Sequence, residues 1–128
     1  MIRPPDQERV YLEAVLETYS WLPGTPERPS RQDRRLAREL CRRALPLRIV
    51  RAALILAAAR RTIRSGPPLP PVRTLYYFLP VVQEVLHAPP DPGYIQYLAD
   101  RLKPFASQKT ASLTITAARQ NSASPGRR

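Results

Sequence analysis

Apolar positions recur along the chain with the period of an α-helix. Between Asp6 and Leu22, the residues Val10, Tyr11, Ala14, Val15, Thr18, Tyr19 and Leu22 fall at i, i+3, i+4 and onward, one face of an amphipathic helix. Leu22-Pro23-Gly24 ends it, and the prolines at 23, 26 and 29 stiffen the connector. Ser30 with Asp33 three residues later forms a variant of the capping box, so a second helix is predicted to start near Arg31. Its apolar face is Leu36, Ala37, Leu40, Cys41 and Ala44, with arginines on the remainder.

Pro46 lacks an N–H and carries a φ suited to a first helical turn, so Ala44-Leu45-Pro46 reads as a tight junction into a third helix running to about Arg64. Leu47, Val50, Ala53, Leu54, Ala57 and Ala58 form one face, while Ile49, Ala52, Ile55, Leu56 and Ala59 cover most of the rest. A helix apolar nearly all round belongs at the centre of a domain. After a polyproline-like connector at 67–71, Thr74 is placed to cap a fourth helix, which Pro80 is predicted to kink or restart. Asp91-Pro92 opens a fifth helix on Tyr94, Ile95, Leu98 and Leu102, expected to end before Pro104.

These elements predict an all-α fold, a compact bundle of about five helices with Pro-rich connectors over 1–106 and a disordered basic C-terminal tail over 107–128. Leu113 and Ile115 leave room for a short strand in that tail. The 128 residues suit one domain. The sixteen prolines lie between the periodic segments rather than inside them and act as punctuation. No repeat of solenoid length occurs. The strongest apolar run, Ala52 to Ala59, is far shorter than the ~20 residues a membrane span needs, and the acids following Arg3 do not suit a signal peptide. A cytoplasmic protein with a reduced Cys41 is the expectation.

Charge changes the picture most. The net charge is +11, and 19 of the 21 cations are Arg. Residues 23–66 hold twelve Arg against three acids, whereas 1–22 are net acidic and 67–106 are balanced. Arginine in this excess suits planar, bidentate anions such as phosphate. The candidate nucleic-acid-binding residues are Arg31, Arg34, Arg35, Arg38, Arg42 and Arg43 on the second helix, and Arg48, Arg51, Arg60, Arg61 and Arg64 on or beside the third. Arg31, Arg35, Arg38 and Arg42 recur at helical spacing as one stripe, opposite Leu36 and Leu40. Arg35, Arg38 and Arg42 should outweigh Arg127 and Arg128, because a helix orders them before a ligand arrives.

Other features carry less. A helix-turn-helix over Leu36 to Leu56 lacks the usual turn glycine, so a plain helical hairpin is the better reading. Of Tyr76, Tyr77 and Phe78, two are expected in the core; Tyr11, Tyr19, Trp21, Tyr94 and Tyr97 are read as core or rim residues with polar tips in water. One Cys and one His exclude a disulfide framework and a Cys/His zinc site within the chain. Glu13, Glu17, Cys41 and His87 show no spacing that joins them, so no catalytic, cofactor or metal site is assigned.

The order from Tyr11 through Arg34-Arg35-Leu36-Ala37-Arg38-Glu39-Leu40, Leu47 to Ala59 and Pro71-Val72-Arg73-Thr74-Leu75-Tyr76-Tyr77-Phe78 resembles the C-terminal helical domains of DnaD-like replication organiser proteins of phages and mobile elements. It covers residues 9–87 and rests on the order of features. The family's tyrosine, isoleucine and tryptophan signature near the chain end has no counterpart, since Trp21 is the sole tryptophan. The resemblance implies DNA contact or replisome recruitment without catalysis. The expected function is therefore a non-enzymatic nucleic-acid-binding accessory protein in replication or transposition of a mobile element, with DNA favoured over RNA. The alternative is an interaction module docking on an acidic protein partner of such a complex.

Overall fold

Helix by helix, the capping chemistry sets where the elements begin. The computed structural model describes the backbone of residues 4–123 and the side chains of residues 6–109. Within it, α1 spans Pro4–Trp21, α2 Arg31–Arg42, α3 Leu47–Thr62, α4 Leu79–His87 and α5 Pro92–Ala123, with a 3₁₀ turn at Leu75–Phe78 and no strand among the described residues. At α2 both halves of the capping box form: Asp33 N–H donates to Ser30 Oγ at 3.1 Å and Ser30 N–H to Asp33 Oδ2 at 2.9 Å. Asp91 Oδ2 accepts from Gly93 and Tyr94 N–H at the start of α5. Pro80 stands in the first turn of α4, where its missing N–H costs nothing, so the chain restarts there after the 3₁₀ turn.

The all-α bundle has α3 at its centre. Nine of its residues are buried, from Ile49 to Ala59, and it packs on α1, α4 and α5. Ala53, Ala57 and Ala58 on this helix let the neighbours approach closely, and each buried leucine or isoleucine contributes roughly 2 kcal/mol. The other buried members of the core include Val15, Tyr19, Leu22, Leu36, Leu40, Phe78, Val85, Leu98 and Leu102. No helix of the described residues is long and apolar enough to cross a membrane.

The end of α2 is a Schellman turn. Leu45 N–H reaches Leu40 O and Ala44 N–H reaches Cys41 O, which requires Ala44 at φ 61°, the left-handed region glycine prefers. Ala44 therefore leaves the apolar face of α2 and is exposed. The expected α2–α3 hairpin is also looser than a packed pair. α2 rests on α1 and the 3₁₀ turn, and α3 on the rest of the bundle.

Three further expectations are corrected. Helix α5 does not stop before Pro104. Leu102 and Ala106 are buried on either side of it, and Lys109 Nζ donates to Ser20 O, Leu22 O and Thr25 Oγ1, which carries the helix across the proline. Ser107, where the tail was expected to start, lies within α5; of the tail segment, side chains from residue 110 and backbone from residue 124 lie outside the described residues. Thr74 makes no side-chain cap: Asp33 Oδ1, 42 positions earlier, accepts Leu75 N–H at 2.9 Å instead. Finally, only Phe78 of the aromatic triplet enters the core, while Tyr76 and Tyr77 are exposed.

Candidate nucleic-acid interface

Asp33 decides how α2 presents itself. Its side chain is fully buried, and its two oxygens accept from Ser30 and Leu75, so one carboxylate both starts α2 and joins it to the 3₁₀ turn. A buried acceptor of this kind is tolerated because it is hydrogen-bonded. Leu36, Ala37 and Leu40 are buried on the same side. At 100° per residue, Arg31, Arg34, Arg35, Arg38 and Arg42 then fall within an arc of about 100° on the opposite side, over a length of about 16 Å.

The five differ in their partners. Arg31, Arg34 and Arg35 are exposed and have no hydrogen-bond or ion-pair partner among the described residues. Arg38 and Arg42 share one carboxylate, that of Glu8 on α1, at 3.9 and 3.6 Å, too long for a bidentate pair. Both arginines keep much of their side chain in solvent, so this contact holds them weakly. Arg43, past the end of α2, pairs with Glu39 at 3.4 Å.

The remaining candidates separate into two groups. Arg48 and Arg51 are exposed on the first turns of α3 and line a groove away from α2. Near the other end of that helix, Arg60 donates to both oxygens of Glu84 at 2.8 and 2.5 Å. The Arg60 hydrogen bond holds the Glu84 carboxyl below its ordinary range. Arg61 donates to Pro70 O and to Tyr77 Oη, and its guanidinium lies over the Tyr77 ring 5.2 Å from the centroid. Arg64 donates to Pro67 O at 2.6 Å. The structure therefore brings together the α2 arginines and does not add the α3 ones to them.

Comparison of the chain with protein-family models, with curated proteins and with solved structures returns no match in any of the three.

The groups weighed for catalysis stay apart. Glu13 and Glu17 are exposed on α1, Cys41 is half-buried on α2, and His87 is exposed at the end of α4 with Nδ1 2.9 Å from Gln83 O. Among the described residues no three His, Cys, Asp or Glu side chains gather to hold a metal. Tyr11 donates to Leu45 O at 2.8 Å and ties α1 to the turn after α2; burial, with Cys41 nearby, pushes its hydroxyl up to about 12. Tyr19 differs from expectation. Its hydroxyl does not reach water: it is buried without a partner among the described residues, and burial, with Asp33 nearby, raises its pKa.

The sequence reading missed the distant partners: Leu75 for Asp33, Glu8 for Arg38 and Arg42, and the α1 carbonyls for Lys109. The capping box was the one local signal, since it already singled out Asp33.

Proposed function

We propose that the protein is a non-enzymatic accessory that binds nucleic acid through the outward face of α2, with DNA favoured over RNA. The observation that carries this reading is the row of five arginines on one rigid helix, three of them without a partner. A straight row about 16 Å long suits the regular phosphates of a duplex, which advance about 3.4 Å per base pair on each strand. Phosphate oxygens offer Arg38 and Arg42 a closer, bidentate partner than Glu8 does. The contacts are to backbone, so the mode is sequence-tolerant. Replication or transposition of a mobile element is the setting suggested by the order of features over 9–87.

A titration of salt against affinity for duplex DNA, single-stranded DNA and duplex RNA tests the reading. The expected result is log–log dependence on salt with a slope of about −0.9 for each phosphate neutralised, steepest for duplex DNA. Absence of binding at low salt, or affinity indifferent to salt, overturns it.

A further inference from the structure

A concavity lined by α1, α3 and α5 contains no residue of α2. Helices α1 and α5 flank α3 without packing along one another, leaving a groove of about 770 Å³ between them. Its floor is apolar: Ile49, Ala52 and Ile55 from α3, joined by Ile95 and Ala99 of α5. Trp21, 38% exposed, stands at one wall beside the point where Lys109 bonds α1 to α5. Lys109 thereby sets how far apart the two walls stand.

The rim is basic. Arg48, Arg51 and Lys103 face a single acid, Glu17, and Arg48 and Arg51 have no partner among the described residues, whereas Lys103 is tied to Asp100 at 3.1 Å. Arg60 and Arg61 near the other end of α3, and Arg64 just past it, all have acceptors within the chain. Two free guanidiniums beside an open apolar floor are complementary to an amphipathic segment whose polar flank is acidic. Length agrees with a helix. Ile49 to Ile55 covers about 9 Å, close to the ~10 Å between positions i and i+7 of an incoming helix.

We infer that the groove between α1 and α5 is a docking site for an acidic amphipathic helix of a protein partner. Apolar side chains of that helix sit over Ala52 and between Ile49 and Ile55, and its carboxylates pair with Arg48 and Arg51. No residue of α2 enters the groove, so this site works apart from the phosphate-binding face. The two together would let one small protein hold a nucleic acid at one site and a protein at the other.

The probe is a fluorescent helical peptide of about 18 residues, with Leu at i, i+3 and i+7 and Glu on the flanks. A matched peptide carries Lys in place of Glu. The native chain should bind the Glu peptide saturably and at least about tenfold more tightly than the Lys peptide. Ala52→Glu should weaken the Glu peptide at least tenfold, leaving circular dichroism and nucleic-acid affinity unchanged; the double variant R48E/R51E should reverse the peptide preference. Equal affinity for both peptides, or an A52E protein that binds as the native one does, overturns the inference. So does sedimentation showing a native dimer that A52E dissociates, since the occupant is then a second copy. Loss of peptide binding with intact DNA binding separates failure here from failure of the α2 reading.

Discussion

Two sets of arginines, on α2 and at the end of α3, have the same composition and opposite circumstances. Arg31, Arg34 and Arg35 project from a helix whose opposite face is buried, and nothing described in the chain answers their charge. Arg60, Arg61 and Arg64 each have an acceptor: Glu84, Pro70 with Tyr77, and Pro67. Arg60 and Arg61 fasten α4 and the polyproline connector to the central helix, and Arg64 closes the turn into that connector. Density of positive charge alone thus does not say which arginines are available to an outside partner; their partners within the fold do.

The strongest way to break this comparison is to release α2. Asp33→Ala removes the acceptor of the Leu75 N–H in a buried setting, at about 1–3 kcal/mol, and that of the part-buried Ser30 N–H at the helix cap, at about 1 kcal/mol. We expect a loss of about 3 kcal/mol in urea unfolding, a large part of a small domain's stability, and nucleic-acid affinity falling with it. A stability within 1 kcal/mol of native would show that Asp33 is not the anchor.

Charge-matched triples come next. R31Q/R34Q/R35Q and R60Q/R61Q/R64Q each remove three cations, so bulk charge changes equally. The first should lower DNA affinity by about tenfold or more and reduce the salt slope by about 2 to 3, with stability within about 0.5 kcal/mol of native. The second should leave most of the affinity but cost about 1 kcal/mol of stability, because exposed pairs contribute little individually. Equal losses of affinity would mean that only net charge matters.

pH sharpens the contrast, because different groups hold the two regions. Tyr11 holds the turn after α2, and its pKa is raised to about 12 from 10.0. Its contribution is therefore complete below pH 10 and lost as pH rises toward 12. Glu84, beside Arg60, is lowered from 4.5, so its contribution is present above that value and lost on acidification. Unfolding followed from pH 9 to 12 should show stability falling more steeply in the native protein than in Tyr11→Phe. Acidification below pH 4.5 should loosen the α3 end first, read from hydrogen exchange of the α4 backbone amides.

The smallest effect is a gain. Ala44 holds a left-handed conformation that costs a non-glycine residue of order 1 kcal/mol. Ala44→Gly should raise the urea midpoint by an amount equivalent to about 0.5–1 kcal/mol with DNA affinity unchanged, since no cation moves. A destabilised protein would show that this Schellman turn does not limit α2.

The helices were legible wherever a signal acted within a turn or two. Ser30 with Asp33, Pro46 before α3, Pro80 near the start of α4 and Asp91-Pro92 at α5 all sit as their local chemistry requires. The all-round apolar character of Leu47 to Ala59 placed α3 at the centre. Pro104 was misleading because its local penalty is overcome by the burial of Leu102 and Ala106 and by the Lys109 contacts beyond it. Tyr76 and Tyr77 were misleading too. A 3₁₀ turn there buries Leu75 and Phe78, three residues apart and so on one side, which leaves the two tyrosines outside.

What the sequence determined by itself is the set of helices, the caps of α2 and α5 and the face each helix buries, since periodicity and capping are short-range. Which arginines are free was decided only by the tertiary structure. Glu8 and Arg38, Asp33 and Leu75, and Arg60 and Glu84 lie far apart along the chain, and their pairing depends on how the helices pack. The groove between α1 and α5 has the same origin: both pack on α3 without packing along one another, and Lys109 bonds across between them. Side-chain identity sets what a charge can bind; packing sets whether that charge is still available.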